Sequence, residues 1–149
     1  MQADPTRSPR TVPFAVTRPD RILAERYYDE EFFRLEEEHL WGHCWQMACR
    51  AEVIPEAGDW IEYTNLNRSV LVVNTGEAIK AYHNACRHRG VPLAGGLGAE
   101  CGHAAWGNCS KQGFVCPFHG WKWNVHGENT FVYGEHLFAG DQLDPEELK

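Results

Sequence analysis

Apolar residues recur at helical spacing near the start of the chain. The run at residues 29–41, DEEFFRLEEEHLW, begins with a suitable N-cap in Asp29, and acidic residues follow in the first turn. This spacing predicts one amphipathic helix with a solvated acidic face at residues 36–38. The buried stripe of the helix would consist of Phe32, Phe33, Leu35 and Leu40.

After Gly42 the apolar residues change to a pattern of every second position. Turn-forming segments EAGD, NLNR and NTGE separate four runs, which predict an antiparallel meander. The third run is continuously apolar and predicts a central strand covered on both faces, whereas the second alternates as a half-exposed strand does. The four runs are residues 45–53, 60–64, 69–73 and 78–84.

From residue 84 to residue 112 the strand pattern is lost. The segment is rich in Gly, Ala and small polar residues and predicts a loop, and loops on a rigid sheet often carry functional sites. The runs GFVC, GWKWN and ENTFVYG then predict short strands, with a turn at residues 125–128. Cys44 and Cys49 lie on or near the first predicted strand and are expected to be buried thiols.

The composition indicates one ordinary globular domain. At 149 residues the chain can bury one core, and four prolines within the first 20 residues predict an extended or disordered lead-in at 1–24 before a domain at 25–149. No apolar run approaches the roughly 20 residues of a membrane span, and the start lacks the apolar core of a secretory signal, so a cytoplasmic location is expected. The net charge of -7 argues against a nucleic-acid surface.

Six cysteines in such a chain are better interpreted as metal ligands or reduced thiols than as disulfides. Two segments, CRHRG and CPFHGW, each combine one thiolate with one imidazole. Zinc modules usually draw like ligands from one knuckle, whereas in a Rieske [2Fe-2S] centre two Cys bind one iron and two His bind the other. The mixed loops favour the second kind of site, with the ligands Cys86, His88, Cys116 and His119.

Two glycines and one tryptophan accompany these candidate ligands. Gly90 and Gly120 are expected where a tight loop needs no Cβ and where backbone amides can approach the sulfides of a cluster. Trp121 would either cover the site against water or serve as a core aromatic residue.

The segments NACRHRG and CPFHGW resemble the paired signatures of the Rieske domain in α-subunits of ring-hydroxylating oxygenases, and the resemblance covers most of residues 25–135. It implies a mainly β (α+β) fold, namely an antiparallel Rieske-type β-sandwich with a cluster-binding subdomain after an N-terminal amphipathic helix. It also implies a [2Fe-2S] cluster, a ferredoxin or flavin reductase as electron donor, and a neighbouring α-subunit in a trimer. A mononuclear non-haem Fe(II) would receive the electrons in the full-length protein.

The resemblance also separates this chain from respiratory Rieske proteins. Those proteins carry an additional cysteine in each cluster loop and a serine after the glycine that follows the second histidine. Here Phe118 lies inside the second motif and Trp121 takes the place of the serine. Fewer hydrogen bonds to the sulfurs stabilise the reduced cluster less, which predicts a potential toward the low end of roughly -150 to +300 mV.

Twenty-seven residues separate His88 from Cys116 and contain further candidates. Cys101 and His103 form a rival C-x-H pair, although they lack the following Arg-Gly and the upstream asparagine, Asn84, of the first motif. A Cys101–Cys109 disulfide or a second small metal site is disfavoured in a reducing compartment. Among the remaining histidines, His39 and His43 are interpreted as surface or helix-end residues, and His83, His126 and His136 show no partner spacing and are assigned no role.

Nothing in the sequence supplies the 2-His-1-carboxylate triad of a mononuclear iron site, so the catalytic domain is expected to be absent and the chain to be inactive alone. The leading hypothesis is the electron-transferring domain of an oxidoreductase, an aromatic ring-hydroxylating mono- or dioxygenase. The alternative is a stand-alone Rieske-type ferredoxin. A structural zinc module is a third hypothesis.

Overall fold

The computed structural model describes residues 20–95, 105–138, 143–144 and 146–148. The chain divides into two units, Met1–Gln46 and Met47–Lys149. Residues 1–19 of the predicted lead-in lie outside the described residues, and the domain boundary at residue 25 stays a prediction. Within the described ranges, no helix is both long enough and apolar enough to cross a membrane.

The first unit contains the predicted helix, α1, at Glu30–Glu36. The side chain of Asp29 caps it by accepting a hydrogen bond from the backbone N–H of Phe32 at 2.8 Å, which satisfies one of the free donors at a helix start. A 3₁₀ turn, Ala24–Tyr27, precedes the helix, and a π-helical turn, Glu37–Trp41, continues it.

The apolar side of α1 is less buried than predicted. Phe32 and Leu35 are half-buried, but Phe33 is 48% exposed and Leu40 is 43% exposed. Phe33 lies about 100° around the helix from Phe32, and the wider π turn shifts Leu40 away from the helical repeat. The predicted stripe is therefore wrong for two of its four members.

The second unit consists of two antiparallel sheets, which confirms the predicted mainly β architecture. The larger sheet has the strand order β3-β2-β1-β4 and the smaller has the order β5-β6-β7. The strands are β1 Asp59–Asn65, β2 Arg68–Asn74, β3 Ile79–His83, β4 Trp106–Asn108, β5 Phe114–Val115, β6 Lys122–Trp123 and β7 Asn129–Phe131.

Strand β2 lies inside the larger sheet between β1 and β3, with Val72 opposite Ile61 on one side and Ala81 on the other. Its residues Leu71 and Val73 are 1% and 0% exposed, and Val72 is 8% exposed. Neighbouring residues of a strand point to opposite faces, so burial of all three means that both faces are covered. The predicted central strand is confirmed.

Two predictions about the strands are wrong. Residues 45–50 form no regular structure, and a 3₁₀ turn at Ala51–Val53 takes the place of the first predicted strand. Strand β4 lies within the segment that was predicted to be a loop. Its Gly107 pairs with Trp60, and a Cβ at Gly107 would lie 3.2 Å from the Trp60 indole. The glycine thus makes room for a large ring on the neighbouring strand.

Two hydrophobic clusters form the core of this unit. In the first, the rings of Trp60 and Phe114 meet edge to face with centroids 5.8 Å apart, and it consists of Trp60, Leu71, Val73, Ala94, Cys109 and Phe114. The second consists of Cys86, Cys116, Trp121 and Trp123. Leu93 packs against both clusters. The second cluster therefore holds both predicted cysteine ligands.

Candidate metal centre

Two tight loops carry the predicted ligands, loop 1 at residues 86–91 and loop 2 at residues 116–121. In loop 1 the N–H of Cys86 donates to the carbonyl of Val91 at 2.8 Å, and the N–H of Gly90 donates back to the carbonyl of Cys86 at 2.7 Å. Loop 2 has the same two bonds: the N–H of Cys116 donates to the carbonyl of Trp121 at 2.8 Å, and the N–H of Gly120 donates to the carbonyl of Cys116 at 2.9 Å. The loops therefore share one backbone design.

The glycine of each loop is required by its backbone conformation. Gly90 and Gly120 have φ values of 69° and 72°, a region that residues with a Cβ rarely adopt. A Cβ at either position would meet nothing within 4 Å, and both amides donate to cysteine carbonyls. The predicted tight loops are present, but these two amides close the loops and are not free to approach sulfides.

The thiols of Cys86 and Cys116 lie next to each other, at 3% and 2% exposure. Burial raises the pKa of the Cys86 thiol, the backbone N–H groups of His88 and Arg89 oppose that rise, and the neighbouring Cys116 thiol adds to it. In this setting the Cys86 thiol needs a positive partner to ionise, and bound metal supplies such a charge.

The imidazoles of His88 and His119 form a second pair, with ring centroids 4.7 Å apart. Burial lowers the pKa of His88, and His119 and Arg89 lower it further, so its neutral, metal-binding form is favoured. The Nδ1 atoms of both histidines are buried, and neither has a hydrogen-bond partner among the described residues. Buried polar atoms are nearly always satisfied, so each of these nitrogens calls for an explanation, and binding of a metal ion is one.

The four side chains are thus arranged as two like pairs, thiol beside thiol and imidazole beside imidazole. Among the residues that the structure describes, no three His, Cys, Asp or Glu side chains are grouped to hold one ion. Like pairs are the donor set of a Rieske centre, where two Cys bind one iron and two His bind the other. The residues present therefore fit a [2Fe-2S] cluster.

Aromatic rings enclose the histidine pair. The indole of Trp121 stacks on the His88 ring at 4.8 Å with an angle of 9° between the planes, and Trp121 itself is only 3% exposed. On the other side, the Phe118 ring lies 4.0 Å from that of His119 and is 58% exposed. Trp121 therefore both covers the site and belongs to the core. An open cavity of about 550 Å³ borders His88.

The other candidates lie apart from this pair of loops. Cys101 and His103 fall outside the described residues. Cys109 is a free thiol among the described residues and lies in the first hydrophobic cluster, where its Sγ donates to the carbonyl of Gly58 at 3.3 Å. Cys49 is half-buried, but Cys44 is exposed, and its predicted burial is wrong because the strand predicted there does not form. The histidines left without a role, His39, His43, His83, His126 and His136, are all exposed.

Asn84 lies near the site, and the sequence did not indicate its structural role there. It is 4% exposed, and its side-chain oxygen accepts the N–H of Leu93 at 2.8 Å, so it joins the two ends of the segment that contains loop 1. An amide residue at the end of a predicted strand and two positions before a proposed ligand was the available signal, because a buried amide must find several partners.

Comparison with known proteins gives a consistent picture. The Rieske [2Fe-2S] domain family matches residues 44–132, more than half of the chain. The large oxygenase component of a naphthalene 1,2-dioxygenase system from Pseudomonas aeruginosa is 34% identical over 117 residues, which are 78% of this chain and 24% of that protein. Chloroplastic choline monooxygenase from Atriplex hortensis is 31% identical over 123 residues, 82% of this chain and 25% of that protein.

A solved structure of naphthalene 1,2-dioxygenase with indole in its active site has the same fold. It superposes with a TM-score of 0.68 and 30% sequence identity, over 82% of this chain and 25% of that one. A quaternary ammonium Rieske monooxygenase superposes equally well at 18% identity, which shows the fold alone. The chain spans about a quarter of the length of the curated relatives that it matches.

Proposed function

This chain belongs to the Rieske [2Fe-2S] domain family, and from that premise we propose that it is the electron-transferring domain of a ring-hydroxylating oxygenase α-subunit. Electrons would come from a ferredoxin or flavin reductase and pass to a mononuclear non-haem Fe(II) site of the full-length oxidoreductase. The relatives that support this assignment are large oxygenase components and a monooxygenase. The substrate class would be aromatic or similarly apolar.

We propose Cys86, His88, Cys116 and His119 as the cluster ligands. The two thiols would hold one iron, and the two imidazoles would hold the other through their Nδ1 atoms. When bound, the cluster supplies a centre that accepts and releases one electron at a time. Loops 1 and 2 fix the ligand positions through their paired backbone bonds, and Trp121 limits the access of water to His88.

One observation carries the proposal: two adjacent imidazoles keep buried Nδ1 atoms without a partner in the described structure, beside two buried thiols. Leaving a buried polar atom unsatisfied costs roughly 1–3 kcal/mol. A fold that does this twice, at neighbouring atoms, gains that energy back only when both nitrogens bind something.

Partners and location follow from the same assignment. The relatives' names describe multicomponent systems. We propose that a ferredoxin or flavin reductase donates electrons to this chain. The acceptor iron would lie in a neighbouring α-subunit of a trimer. Electrons would leave the cluster through His119 and the neighbouring Phe118 ring, because Phe118 contacts His119 and is exposed at the surface. The proposed location is the cytoplasm.

The ligand assignment is tested by exchanging one histidine at a time. His88→Ala removes one of the paired nitrogens and should abolish the visible absorption and the EPR signal of the reduced cluster. The matched control is His126→Ala, an exposed histidine in the turn after β6, which should keep the full cluster spectrum.

The same experiment includes the rival pair. His103→Ala should leave the spectrum nearly unchanged, whereas a lost signal in that variant with an intact signal in His88→Ala would assign the cluster to Cys101 and His103. A colourless wild-type protein containing one zinc per chain would contradict the redox assignment altogether.

The stand-alone ferredoxin remains the competing function. A ferredoxin would deliver electrons to a separate oxygenase, whereas an α-subunit domain delivers them to an iron site in its own assembly. The coding sequence downstream of Lys149 distinguishes the two, because the α-subunit assignment requires a 2-His-1-carboxylate site there.

A further inference from the structure

The segment that carries the first two proposed ligands leaves the larger sheet at Asn84 and returns to it at residues 93–95. Asn84 follows β3 directly, and its backbone N–H donates to the carbonyl of Ser69 on β2 at 3.0 Å. Its side chain is 4% exposed and faces the returning end of the segment. One residue therefore contacts both ends of the loop that holds Cys86 and His88.

The side-chain oxygen of Asn84 accepts two backbone hydrogen bonds from the returning end. The N–H of Leu93 donates to Oδ1 at 2.8 Å and that of Ala94 at 3.1 Å. On the other side of the amide group, Nδ2 donates to the carbonyl of Ala94. The amide thus bonds in both directions to the same short stretch of backbone.

The amide nitrogen also connects this stretch to the sheet. Asn84 Nδ2 donates to the Ser69 hydroxyl at 2.9 Å, and that hydroxyl donates to Glu62 Oε1 at 2.5 Å. The order of donors is fixed, because a carboxylate can only accept and the hydroxyl must therefore give it its single proton. The chain of bonds runs from loop 1 to β2 and then to β1.

Close packing at the end of the segment supports the same connection. Gly95 lies against the Glu62 carboxylate so tightly that an added Cβ would overlap it. Ala94 is 8% exposed. The return of the chain is thus fitted to the surface that the Asn84, Ser69 and Glu62 network occupies.

From these contacts we infer that Asn84 is a positioning residue for the cluster, which holds the loop of Cys86 and His88 in its binding geometry through Ser69 and Glu62. The inference rests on the proposed cluster site. A carboxamide meets the requirement, since it offers two donor hydrogens and an oxygen with two acceptor lone pairs at the same end of a short side chain. Ligands held by such supporting contacts keep their geometry, and loss of the supports typically lowers metal affinity 10- to 100-fold.

Asn74 provides a matched control at the opposite end of β2, about 17 Å from Ser69 at the rise of an extended strand. Its Nδ2 donates to the carbonyls of Ile54 and Pro55 at 3.0 and 3.3 Å, and its Oδ1 accepts the N–H of Gly76 at 2.8 Å. It is the same residue type with the same kind of bonding, but it supports no proposed ligand.

The test compares Asn84→Ala and Asn74→Ala in the purified, cluster-loaded chain. The readouts are the rate of iron release to a chelator, the EPR line shape of the reduced cluster and the midpoint potential, and thermal unfolding serves as the measure of general stability. We expect Asn84→Ala to release iron at least about tenfold faster and to broaden the EPR signal, while Asn74→Ala matches the wild type in both.

Ser69→Ala is the second variant, in case Asn84→Ala does not fold. It removes one link of the network and leaves both ligands and Asn84 in place, so iron release should quicken by about threefold, in keeping with the loss of one hydrogen bond. The inference is overturned if either Asn84→Ala or Ser69→Ala keeps wild-type release and line shape, or if Asn74→Ala is equally impaired. A wild-type chain without any cluster would instead refute the proposed function.

Discussion

At the scale of single residues, the two ligand-bearing loops differ in the position of the histidine. Loops 1 and 2 have the same backbone bonds and the same cysteine-to-glycine spacing, but the histidine stands two positions after Cys86 and three positions after Cys116. The two imidazoles nevertheless lie together, with centroids 4.7 Å apart, and the thiols, which stand at equal positions in the two loops, also meet.

Cys109 shows that a cysteine followed by a glycine four positions later is not sufficient for a ligand. The N–H of Gly113 donates to the carbonyl of Cys109 at 2.8 Å, the same closing bond as in loops 1 and 2. The N–H of Cys109, however, donates to Gly58 rather than to its own loop, and the thiol is 5% exposed in the first hydrophobic cluster. Cys109 therefore differs from the proposed ligands in two ways: its loop contains no histidine, and its thiol lies in the first hydrophobic cluster.

The burial of Cys109 predicts a loss of stability in alkali. Burial raises the pKa of this thiol from an ordinary value near 9 to about 11. Between these values the unfolded chain has released the proton and the folded chain has kept it, so rising pH favours unfolding. The free energy of unfolding should fall by about 1–2 kcal/mol from pH 9 to pH 11 through this group. Urea unfolding at several pH values measures it.

Cys109→Ser is the control for this prediction. A serine hydroxyl does not ionise in this range and can still donate to the carbonyl of Gly58, so the variant should lack this part of the pH dependence. Equal slopes for the two proteins between pH 9 and pH 11 would show that Cys109 does not titrate differently on unfolding.

The proposed ligands were the part of the candidate site that local sequence could indicate, because a thiolate and an imidazole within one short loop are chemically unusual together. The role of Asn84 could not be predicted in the same way. Its partners Ser69, Leu93 and Ala94 are separated from it along the chain and come together only when the segment after Cys86 returns to the sheet. The burial of Trp121 against His88 likewise depends on both loops at once.

At the scale of elements, strands were predicted well where their own residues supply the reason for pairing. The apolar run of β2 and the alternation of β1 are local signals, and both strands form as predicted. The run at residues 45–53 has a similar alternation but pairs with none of the strands in the described part of the chain, and Met47 is 81% exposed. Strand β4 has no such local signal, and its Gly107 lies opposite Trp60 on β1 and leaves room for the indole ring.

The turn at residues 125–128 joins the two sheets, which its sequence did not reveal. The hydroxyl of Tyr82 on β3 donates to the carbonyl of Val125 at 3.1 Å, and Gly127 lies against the Tyr82 ring with a φ of 84°. The turn was predicted from its polar and glycine content alone. Its position against β3 follows from a tertiary contact.

Gly127→Ala should therefore destabilise the fold for two reasons. The left-handed backbone disfavours any Cβ, and the new atom would lie 2.6 Å from a Tyr82 ring that its hydrogen bond holds in place. We expect a loss of about 2–4 kcal/mol in the free energy of unfolding, measured by chemical denaturation. A milder loss would mean that the ring moves aside.

Gly134→Ala is the comparison for backbone strain alone. Gly134 has a φ of 71°, and an added Cβ would be near only the exposed Leu137 side chain, which can move. Its cost should be about 1–2 kcal/mol. If Gly127→Ala costs no more than Gly134→Ala, the contact with Tyr82 contributes nothing to stability.

At the scale of the whole second unit, distant parts of the chain meet around the proposed cluster. Loops 1 and 2 supply the cysteines and Trp121, the smaller sheet supplies Trp123, and residues from the end of the chain, Phe138, Leu143 and Leu148, pack on the same core. The indole N–H of Trp123 donates to the carbonyl of Leu148 at 2.8 Å. The final residues are therefore fastened to the core that holds Cys86 and Cys116.

Trp123→Phe tests the contribution of this hydrogen bond, because it keeps an aromatic ring in the core and removes the N–H that donates to Leu148. Trp60→Phe is the matched control, since Trp60 is similarly buried, at 8% against 5%, but lies in the other cluster. Both exchanges leave a cavity and should cost stability by roughly 1–3 kcal/mol. Only Trp123→Phe should speed hydrogen–deuterium exchange at residues 143–148, because only there does a carbonyl lose its partner. Equal hydrogen–deuterium exchange at residues 143–148 in the two variants would mean that hydrophobic packing alone holds these residues on the second hydrophobic cluster.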